Sequence, residues 1–232
     1  MRKECSNVKS ASSNITAAGS NPEKIVVSPI YLFEKRCLDI IGAALGLIIV
    51  LPLFIVIRII YCFGESKGPL WFKQQRIGKN GELFNIFKIR SMVVDAEGIL
   101  KRNHELFQKY IQNNYKLEPD EDSRITRVGR ILRKSSLDEL PQLINVLKGE
   151  MSLVGPRPIV EEELKEYKHK RQDFLSVKPG MTGYWQVCGR SDVGYPERVE
   201  LELYYVYHQS LSLDMKILIK TMIIVLKKKG AY

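Results

Sequence analysis

The feature that most constrains the fold is an uncharged, apolar stretch of 18 residues from Ile40 to Ile57. As a straight helix it would be about 27 Å long, slightly short of a bilayer core of about 30 Å. Pro52 lies inside the stretch, where a proline removes one backbone hydrogen bond and kinks a helix. The stretch therefore predicts a membrane-associated helix that bends at Pro52.

Basic residues flank both ends of this stretch. Lys35 and Arg36 precede it, and Arg58 and Lys67 follow it. A helix that crosses the membrane once normally keeps its basic flank on the cytosolic side. Two basic flanks favour a re-entrant helix, within residues 28–64, that enters the cytosolic leaflet and returns to the same face. A single span and a buried core helix of a soluble protein are the alternatives.

The charge balance narrows the class of partner. The 232 residues include 36 basic and 26 acidic side chains, for a net charge of +10. Such an excess favours anionic partners: nucleic acid, phospholipid headgroups or phosphorylated substrates. Residues 1–27 are rich in Ser, Asn and Ala without apolar periodicity, which predicts a disordered tail rather than a secretory signal. Residues 65–232 are then expected to form a cytosolic domain.

The rest of the chain predicts a mostly α protein with a small β-hairpin, in the α+β class. Two strand-like segments, residues 70–76 and 83–90, flank the turn signal Gly78-Lys79-Asn80-Gly81. Residues 92–116 and 125–133 and the chain from Glu197 onward have helical patterns. The last segment, Leu213 to Lys229, is interrupted by lysines and suits an interfacial amphipathic helix.

The segment Ser136-Leu137-Asp138-Glu139 places two adjacent carboxylates behind a hydroxyl. It matches a capping box, in which Ser136 and Glu139 would satisfy exposed N–H groups at a helix start. The same helix start would also suit phosphate binding and would keep Asp138 ionised as a nucleophile. Both interpretations remain open on the residues alone.

A second segment, Gly155-Pro156-Arg157-Pro158, holds an arginine between two prolines. Its backbone is nearly fixed, and arginine grips phosphate oxygens with two parallel hydrogen bonds. A preorganised arginine loses less entropy on binding. Arg157 is therefore a candidate phosphate ligand, although a turn in which the arginine has no such role fits the same residues.

Taken in order along the chain, five motifs resemble one family, the monotopic polyprenyl-phosphate phosphoglycosyl transferases among the bacterial sugar transferases. They are Lys88-Ile89-Arg90-Ser91-Met92, Arg124-Ile125-Thr126-Arg127-Val128-Gly129, Ser136-Leu137-Asp138-Glu139-Leu140-Pro141-Gln142, Met151-Ser152-Leu153-Val154-Gly155-Pro156-Arg157-Pro158 and Lys178-Pro179-Gly180-Met181-Thr182-Gly183. The resemblance covers the chain from about Ser28 to its C-terminus.

The resemblance implies an activity, a cofactor and a location. Such enzymes transfer a sugar 1-phosphate from a UDP-sugar to undecaprenyl phosphate, release UMP and require Mg²⁺. This step begins assembly of a surface polysaccharide or glycoconjugate. The location implied is the bacterial inner membrane, with the catalytic domain on the cytoplasmic face and with phospholipids as further partners.

The resemblance also implies roles for individual residues. Asp138 would attack the β-phosphate to form a covalent phosphosugar intermediate, and Glu139 would bind Mg²⁺ or assist activation of the lipid phosphate. Both are candidate metal ligands. Pro52 would mark the membrane bend. The implied phosphate and donor ligands are Lys88, Arg90, Arg133, Arg157 and Arg190.

Two departures from the family pattern bear on these roles. Glu202 stands where family members often have aspartate, which leaves its role open. Leu51 stands before Pro52 instead of a small polar residue, so a bend would depend on the proline alone. The sequence does not identify the sugar, and it leaves open whether the protein is a monomer or a homo-oligomer.

Two other functions compete with the transferase. A basic, membrane-anchored module for nucleic acid or anionic lipid would explain the charge and the apolar stretch, but not the adjacent acids Asp138 and Glu139. A glycosyl transferase acting on sugar hydroxyls is disfavoured because the chain has no strand–glycine–helix signature for a nucleotide. We therefore expect no nucleic-acid partner.

Overall fold

A computed structural model describes residues 27–112, 117, 122–189 and 193–226. The predicted tail, residues 1–27, lies outside the described residues except for residue 27, and Arg190 lies outside them as well. The chain forms two compact units. The C-terminal unit takes its described residues from Met1–Leu47, Gln74–Ile86 and Gln142–Gly230, and the central unit takes its own from Ile48–Lys73 and Phe87–Pro141.

The described part of the chain is mostly helical. Its α-helices are α1 (Pro29–Ile60), α2 (Ala96–Arg102), α3 (His104–Gln112), α4 (Arg127–Ser135), α5 (Gln142–Lys148), α6 (Arg171–Leu175), α7 (Tyr184–Cys188), α8 (Glu197–Tyr207) and α9 (Leu211–Leu226). Its strands are β1 (Trp71–Ile77), β2 (Leu83–Ile89), β3 (Ser152–Val154) and β4 (Gly180–Thr182). Short 3₁₀ segments cover Gly64–Ser66, Lys79–Gly81, Leu137–Glu139 and Glu161–Lys170.

The predicted α+β class is confirmed. β1 and β2 pair as a two-stranded sheet across the predicted turn, where Asn80 and Gly81 both have positive φ. A second sheet, the parallel pair of β3 and β4, was not predicted. The helix predicted from residue 125 begins at Arg127 because Thr126 caps it, its Oγ1 accepting from the N–H of Gly129 at 2.9 Å.

Helix α1 contains the whole apolar stretch and continues through Pro52. Its most apolar 18-residue window is only 17% buried inside the protein, which does not fit the buried core helix considered above. The helix is long and apolar enough to associate with a membrane. The bend at Pro52 and the return to the same face stay predictions.

Two buried aspartates hold the N-terminal half of α1 in the C-terminal unit. Asp214 is fully buried in α9 and accepts hydrogen bonds from Tyr31 and Lys35 of α1, both at 2.9 Å. Tyr205 of α8 donates to the same carboxylate at 2.7 Å. Asp39 of α1 accepts from the side chain and backbone at the start of β3, at 2.9 and 2.8 Å. Each buried charge is thus satisfied by several donors, as burial requires.

The two glycine-containing motifs of the C-terminal unit meet at the β3–β4 pair. The N–H of Gly155 donates to Thr182, and the N–H of Gly180 donates to Pro156. A Cβ on Gly180 would lie 2.0 Å from the backbone nitrogen of Gly155, so only glycine allows these two backbone segments to approach this closely. The backbone on either side of Arg157 is therefore fixed by packing as well as by proline.

Candidate active site

The two adjacent acids lie on a single 3₁₀ turn, Leu137–Glu139, in the central unit. The predicted capping box is wrong: Ser136 makes no side-chain cap, and its backbone is left-handed at φ 56°, ψ 20°. In this conformation the N–H of Ser136 bonds back to the carbonyl of Arg133 at 3.0 Å, so Ser136 ends α4 instead of starting the next helix.

This local geometry also corrects the electrostatic part of the expectation. The next α-helix, α5, begins only at Gln142, directly after Pro141. Asp138 therefore does not lie in the first turn of an α-helix, where the backbone field would favour its ionised form. The charges of Lys88 and Arg133 and a backbone hydrogen bond at Asp138 favour the ionised form instead.

Lys88 supplies one positive charge to the acid pair. Its Nζ lies 2.9 Å from Oε1 of Glu139, and the two side chains are 19% and 32% exposed. Lys88 is the penultimate residue of β2, so the strand fixes where its side chain begins. The contact joins residues 51 positions apart in sequence and brings two of the predicted site residues together.

The pKa of the Asp138 carboxyl is strongly raised. Burial and then the neighbouring charge of Glu139 raise the pKa of Asp138 to about 6, while the charges of Lys88 and Arg133 oppose the rise. The carboxyl is therefore still mostly ionised at neutral pH and titrates just below it. Asp138 is half-buried, and acids with such pKa shifts and specific charged neighbours are typical of reaction centres.

Arg133 is placed near the acids by close packing of α4. Its Nε donates to Oγ of Ser91 at 2.7 Å. Gly129, one turn earlier, lies so near this segment that a Cβ there would be 1.9 Å from the carbonyl oxygen of Ser91. Glycine at this position thus lets α4 approach the segment that follows β2. The approach explains how Arg133 comes within electrostatic reach of Asp138.

Arg90 was predicted to hold phosphate, and the structure places its guanidinium differently. The side chain is buried and donates to the carbonyls of Pro69 at 2.8 Å, Met92 at 2.6 Å and Ser66 at 2.5 Å. A fourth, longer contact reaches the carbonyl of Lys67 at 3.4 Å. Arg90 therefore fixes the loop before β1. A phosphate ligand at Arg90 would have to displace these bonds.

An ion pair that was not predicted joins Asp122 and Arg124. The guanidinium donates to both carboxylate oxygens at 2.8 Å, and both side chains are more than nine-tenths buried. Burial alone would raise the pKa of Asp122, but the hydrogen bonds and charge of Arg124 lower it below its ordinary value. The spacing of an acid two residues before an arginine was the available signal. The pair orders the segment that leads into α4.

Arg157 lies in the C-terminal unit, where Glu202 holds its backbone. The N–H of Arg157 donates to Oε1 of Glu202 at 3.2 Å, and its guanidinium lies 6.0 Å from the ring of Trp185. Glu202 is 1% exposed and also accepts from Tyr167 and, at 3.3 Å, from Nε of Arg198. Burial raises the pKa of Glu202 even though these donors oppose the rise. Its longer arm thus has a clear structural role.

The adjacent acids offer only two carboxylates, fewer ligands than a cation site made by protein side chains alone needs. Among the residues that the structure describes, no group of three or more His, Cys, Asp or Glu side chains could hold a metal ion. Mg²⁺, however, usually binds one or two carboxylates and completes its shell with phosphates and water. The adjacent acids Asp138 and Glu139, whose mutual repulsion contributes to the raised pKa of Asp138, fit that pattern.

Comparison with known proteins gives a consistent result. A family model described as bacterial sugar transferase matches residues 30–228. The chain is 47% identical over 203 residues to the undecaprenyl-phosphate galactose phosphotransferase of Salmonella typhimurium, and the match covers 86% of this chain. It is 36% identical over 213 residues to an N-acetylgalactosaminephosphotransferase of Aeromonas hydrophila, whose name also includes undecaprenyl phosphate, with 89% of this chain covered.

These relatives differ in length. The chain spans 42% of the Salmonella protein and 47% of the Aeromonas protein. In contrast, it matches 100% of the exopolysaccharide production protein ExoY of Sinorhizobium fredii, at 39% identity over 230 residues and with 97% of this chain covered.

Proposed function

Since this chain belongs to the bacterial sugar transferase family, we propose that it transfers a sugar 1-phosphate from a UDP-sugar to undecaprenyl phosphate. The observation that carries the proposal is the half-buried Asp138 side chain beside Glu139, within reach of the charges of Lys88 and Arg133. Phosphoryl transfer needs charge neutralisation and in-line positioning more than proton transfer. The names of the Salmonella and Aeromonas relatives support undecaprenyl phosphate as the acceptor.

In the first half-reaction, a carboxylate oxygen of Asp138 attacks the β-phosphorus of the UDP-sugar. The bond between that phosphorus and the oxygen bridging to the α-phosphate breaks, and the electron pair leaves with UMP. The sugar phosphate stays attached to Asp138 as an acyl phosphate. The raised pKa of Asp138 makes the carboxylate more basic than an ordinary aspartate, which favours its attack.

In the second half-reaction, a phosphate oxygen of undecaprenyl phosphate attacks the same phosphorus. The bond to Asp138 breaks, the carboxylate is regenerated and the sugar leaves on a lipid diphosphate. This route lets one small site serve a soluble donor and a membrane-bound acceptor in turn. Lys88 and Arg133 would offset the negative charge that gathers around Asp138 in both steps.

Asp138 and Glu139 would hold Mg²⁺ together with the donor phosphates. The ion supplies charge neutralisation on the diphosphate when it is bound. Lys88 holds Oε1 of Glu139 at 2.9 Å and so fixes how that carboxylate is presented. On the family resemblance alone, we also propose Arg157 and Arg190 as phosphate or donor ligands.

Helix α1 would place this chemistry at the bilayer. Its exposed apolar residues and basic flanks fit a re-entrant helix with both ends at the cytosolic face of the bacterial inner membrane. Exposed apolar residues of α9, among them Met215, Ile219 and Met222, fit the predicted interfacial helix. Surface polysaccharide or glycoconjugate assembly is the process that such a product begins.

The test is release of UMP by purified protein in the presence of Mg²⁺ and undecaprenyl phosphate. A panel of UDP-galactose, UDP-glucose, UDP-N-acetylgalactosamine and UDP-N-acetylglucosamine identifies the sugar. We expect one or two donors to support release and Asp138→Asn to abolish it. Release by no donor on the panel, or full turnover by Asp138→Asn, would contradict the proposal.

A further inference from the structure

An open groove of about 650 Å³ lies in the central unit where α1 ends and the chain leads into β1. The residues that line it all come from this short connection and its two ends: Arg58, Tyr61, Cys62, Lys67, Gly68, Pro69, Leu70 and Trp71. The groove therefore begins where the apolar helix ends. Its position suits a ligand with one apolar end and one polar end.

One side of the groove is apolar and continues the surface of α1. Leu70 and Tyr61 are buried, and Trp71 is 43% exposed. The Trp71 ring packs edge-on against Phe54 of α1, with 5.6 Å between ring centroids. A tryptophan that packs on apolar residues on one side and is exposed to water on the other is typical of the membrane–water interface. A hydrocarbon chain in the groove could thus pass to the exposed apolar side of the helix.

The polar side of the groove carries two cationic side chains that have no counterion among the described residues. Arg58 and Lys67 are both exposed, and neither side chain forms an ion pair or hydrogen bond with any described residue. No lining residue is acidic. The groove therefore has a charge of +2 without an internal counterion, which is complementary to a phosphate monoester.

Tyr61 and Arg90 fix the wall of the groove, and that wall lies within electrostatic reach of Asp138. The Tyr61 hydroxyl donates to the carbonyl of Arg90, and the Arg90 guanidinium lies 5.2 Å from the Tyr61 ring. The same guanidinium donates to the carbonyl of Pro69, which lines the groove, and to that of Ser66, which immediately precedes the lining residue Lys67. After burial, which is the larger cause, the charge of Asp138 also raises the pKa of Tyr61, so this wall lies within electrostatic reach of the proposed nucleophile.

We propose that this groove binds the polyprenyl phosphate acceptor. Its phosphate lies against Arg58 and Lys67, its first isoprene units lie against Leu70 and Trp71, and the rest of the chain remains in the lipid beside α1. This assignment rests on the proposed function. It gives Arg90 the role of building the acceptor groove instead of contacting phosphate.

The first experiment separates the two half-reactions. Arg58→Gln, Lys67→Gln and the double variant are compared with wild type for rapid UMP release from donor alone and for the KM of undecaprenyl phosphate. The burst should be unchanged. The double variant should raise the acceptor KM at least about tenfold, because charge-assisted hydrogen bonds are stronger than neutral ones and about 1.4 kcal/mol gives a factor of ten. Neutralising Lys101 and Lys134, exposed lysines of α2 and α4, is the matched control for lost charge.

The second experiment measures binding without catalysis. Farnesyl phosphate, farnesol, inorganic phosphate and dioleoyl phosphatidic acid are each titrated against tryptophan fluorescence, since Trp71 lines the groove. Farnesyl phosphate should change the signal in wild type and not in the double variant. Farnesol and inorganic phosphate should have little effect, and phosphatidic acid should compete weakly.

The possible outcomes are distinct. An unchanged acceptor KM in the double variant would overturn the acceptor groove. Equal binding of inorganic phosphate would make the groove a simple anion site, and equal binding of phosphatidic acid would make it a general lipid site; either result overturns the proposal. Absence of a UMP burst in wild type would instead count against the proposed function, while the farnesyl phosphate titration would still decide the groove.

Discussion

Lys88 forms its hydrogen bond with Glu139 and not with Asp138: its Nζ lies 2.9 Å from Oε1 of Glu139. The ammonium therefore binds one acid directly and acts on the other through its charge. Lys88 therefore does not occupy the Asp138 carboxylate, the oxygen donor of the attack proposed above. It also makes the pH dependence of the first half-reaction a sensitive readout of the pair.

Removing the charge of Lys88 should move the acid limb of activity to higher pH. Lys88 lowers the pKa of Asp138, which is about 6, so Lys88→Gln should raise that pKa further. Asp138 would then be protonated, and inactive as a nucleophile, at a higher pH than in wild type. Single-turnover UMP release measured between about pH 5 and pH 8 gives the shift. Lys134→Gln, which changes an exposed lysine, should leave the profile unchanged.

Neutralising Glu139 should shift the profile in the opposite direction. The charge of Glu139 raises the pKa of Asp138, so Glu139→Gln should lower it and extend activity toward acid. The plateau rate should also fall if Glu139 helps to hold Mg²⁺, and more Mg²⁺ should be needed for half-maximal rate. The same single-turnover assay measures both effects. Shifts in the same direction for the two variants would contradict the electrostatic account of the pair.

The sequence identified the adjacent acids Asp138 and Glu139 as candidates, but it did not predict the geometry that holds them. The hairpin was predictable because turn chemistry at Gly78–Gly81 is local. The capping-box prediction was wrong because Ser136 adopts a left-handed conformation and Glu139 accepts a hydrogen bond from Lys88 of β2, which is distant in sequence. A local motif indicates which local hydrogen bonds are possible, but it does not predict a partner that is distant in sequence.

The same reason explains the different placement of Arg90. The resemblance implied that Arg90 holds phosphate, yet its guanidinium donates to the carbonyl of Met92 and to two loop carbonyls more than 20 residues earlier. The β3–β4 pair could not be predicted from the sequence either, because each strand has only three residues and their pairing depends on two glycines that allow close approach. Strands this short have no periodicity to detect.

Gly129 should be intolerant of any side chain. A Cβ there would lie 1.9 Å from the carbonyl oxygen of Ser91, and backbone at that distance must move. Gly129→Ala should destabilise the protein by about 1–3 kcal/mol, the range for overpacked sites. Thermal unfolding in detergent measures the loss. Gly194→Ala is the control, since a Cβ at Gly194 meets nothing within 4 Å.

The Asp122–Arg124 pair should contribute stability that depends on pH. Asp122→Asn leaves the buried guanidinium without its counterion and should cost about 3–5 kcal/mol at pH 7. Because the pKa of Asp122 is lowered on folding, the contribution is full above the ordinary aspartate pKa of 3.8 and is lost as pH falls from there toward the folded value. Urea unfolding should therefore show the gap between variant and wild type narrowing below about pH 4. A gap that widens toward acid would contradict this sign.

The most direct test of the central claim is the mass of the intact protein after incubation with Mg²⁺ and its UDP-sugar donor, without acceptor. Wild type should gain the mass of one sugar phosphate, and fragmentation should locate that mass on the peptide containing Asp138. Addition of undecaprenyl phosphate should remove it, and Asp138→Asn should never acquire it. An adduct on another residue, or turnover by wild type through a direct transfer that leaves no adduct, would contradict the role assigned to Asp138.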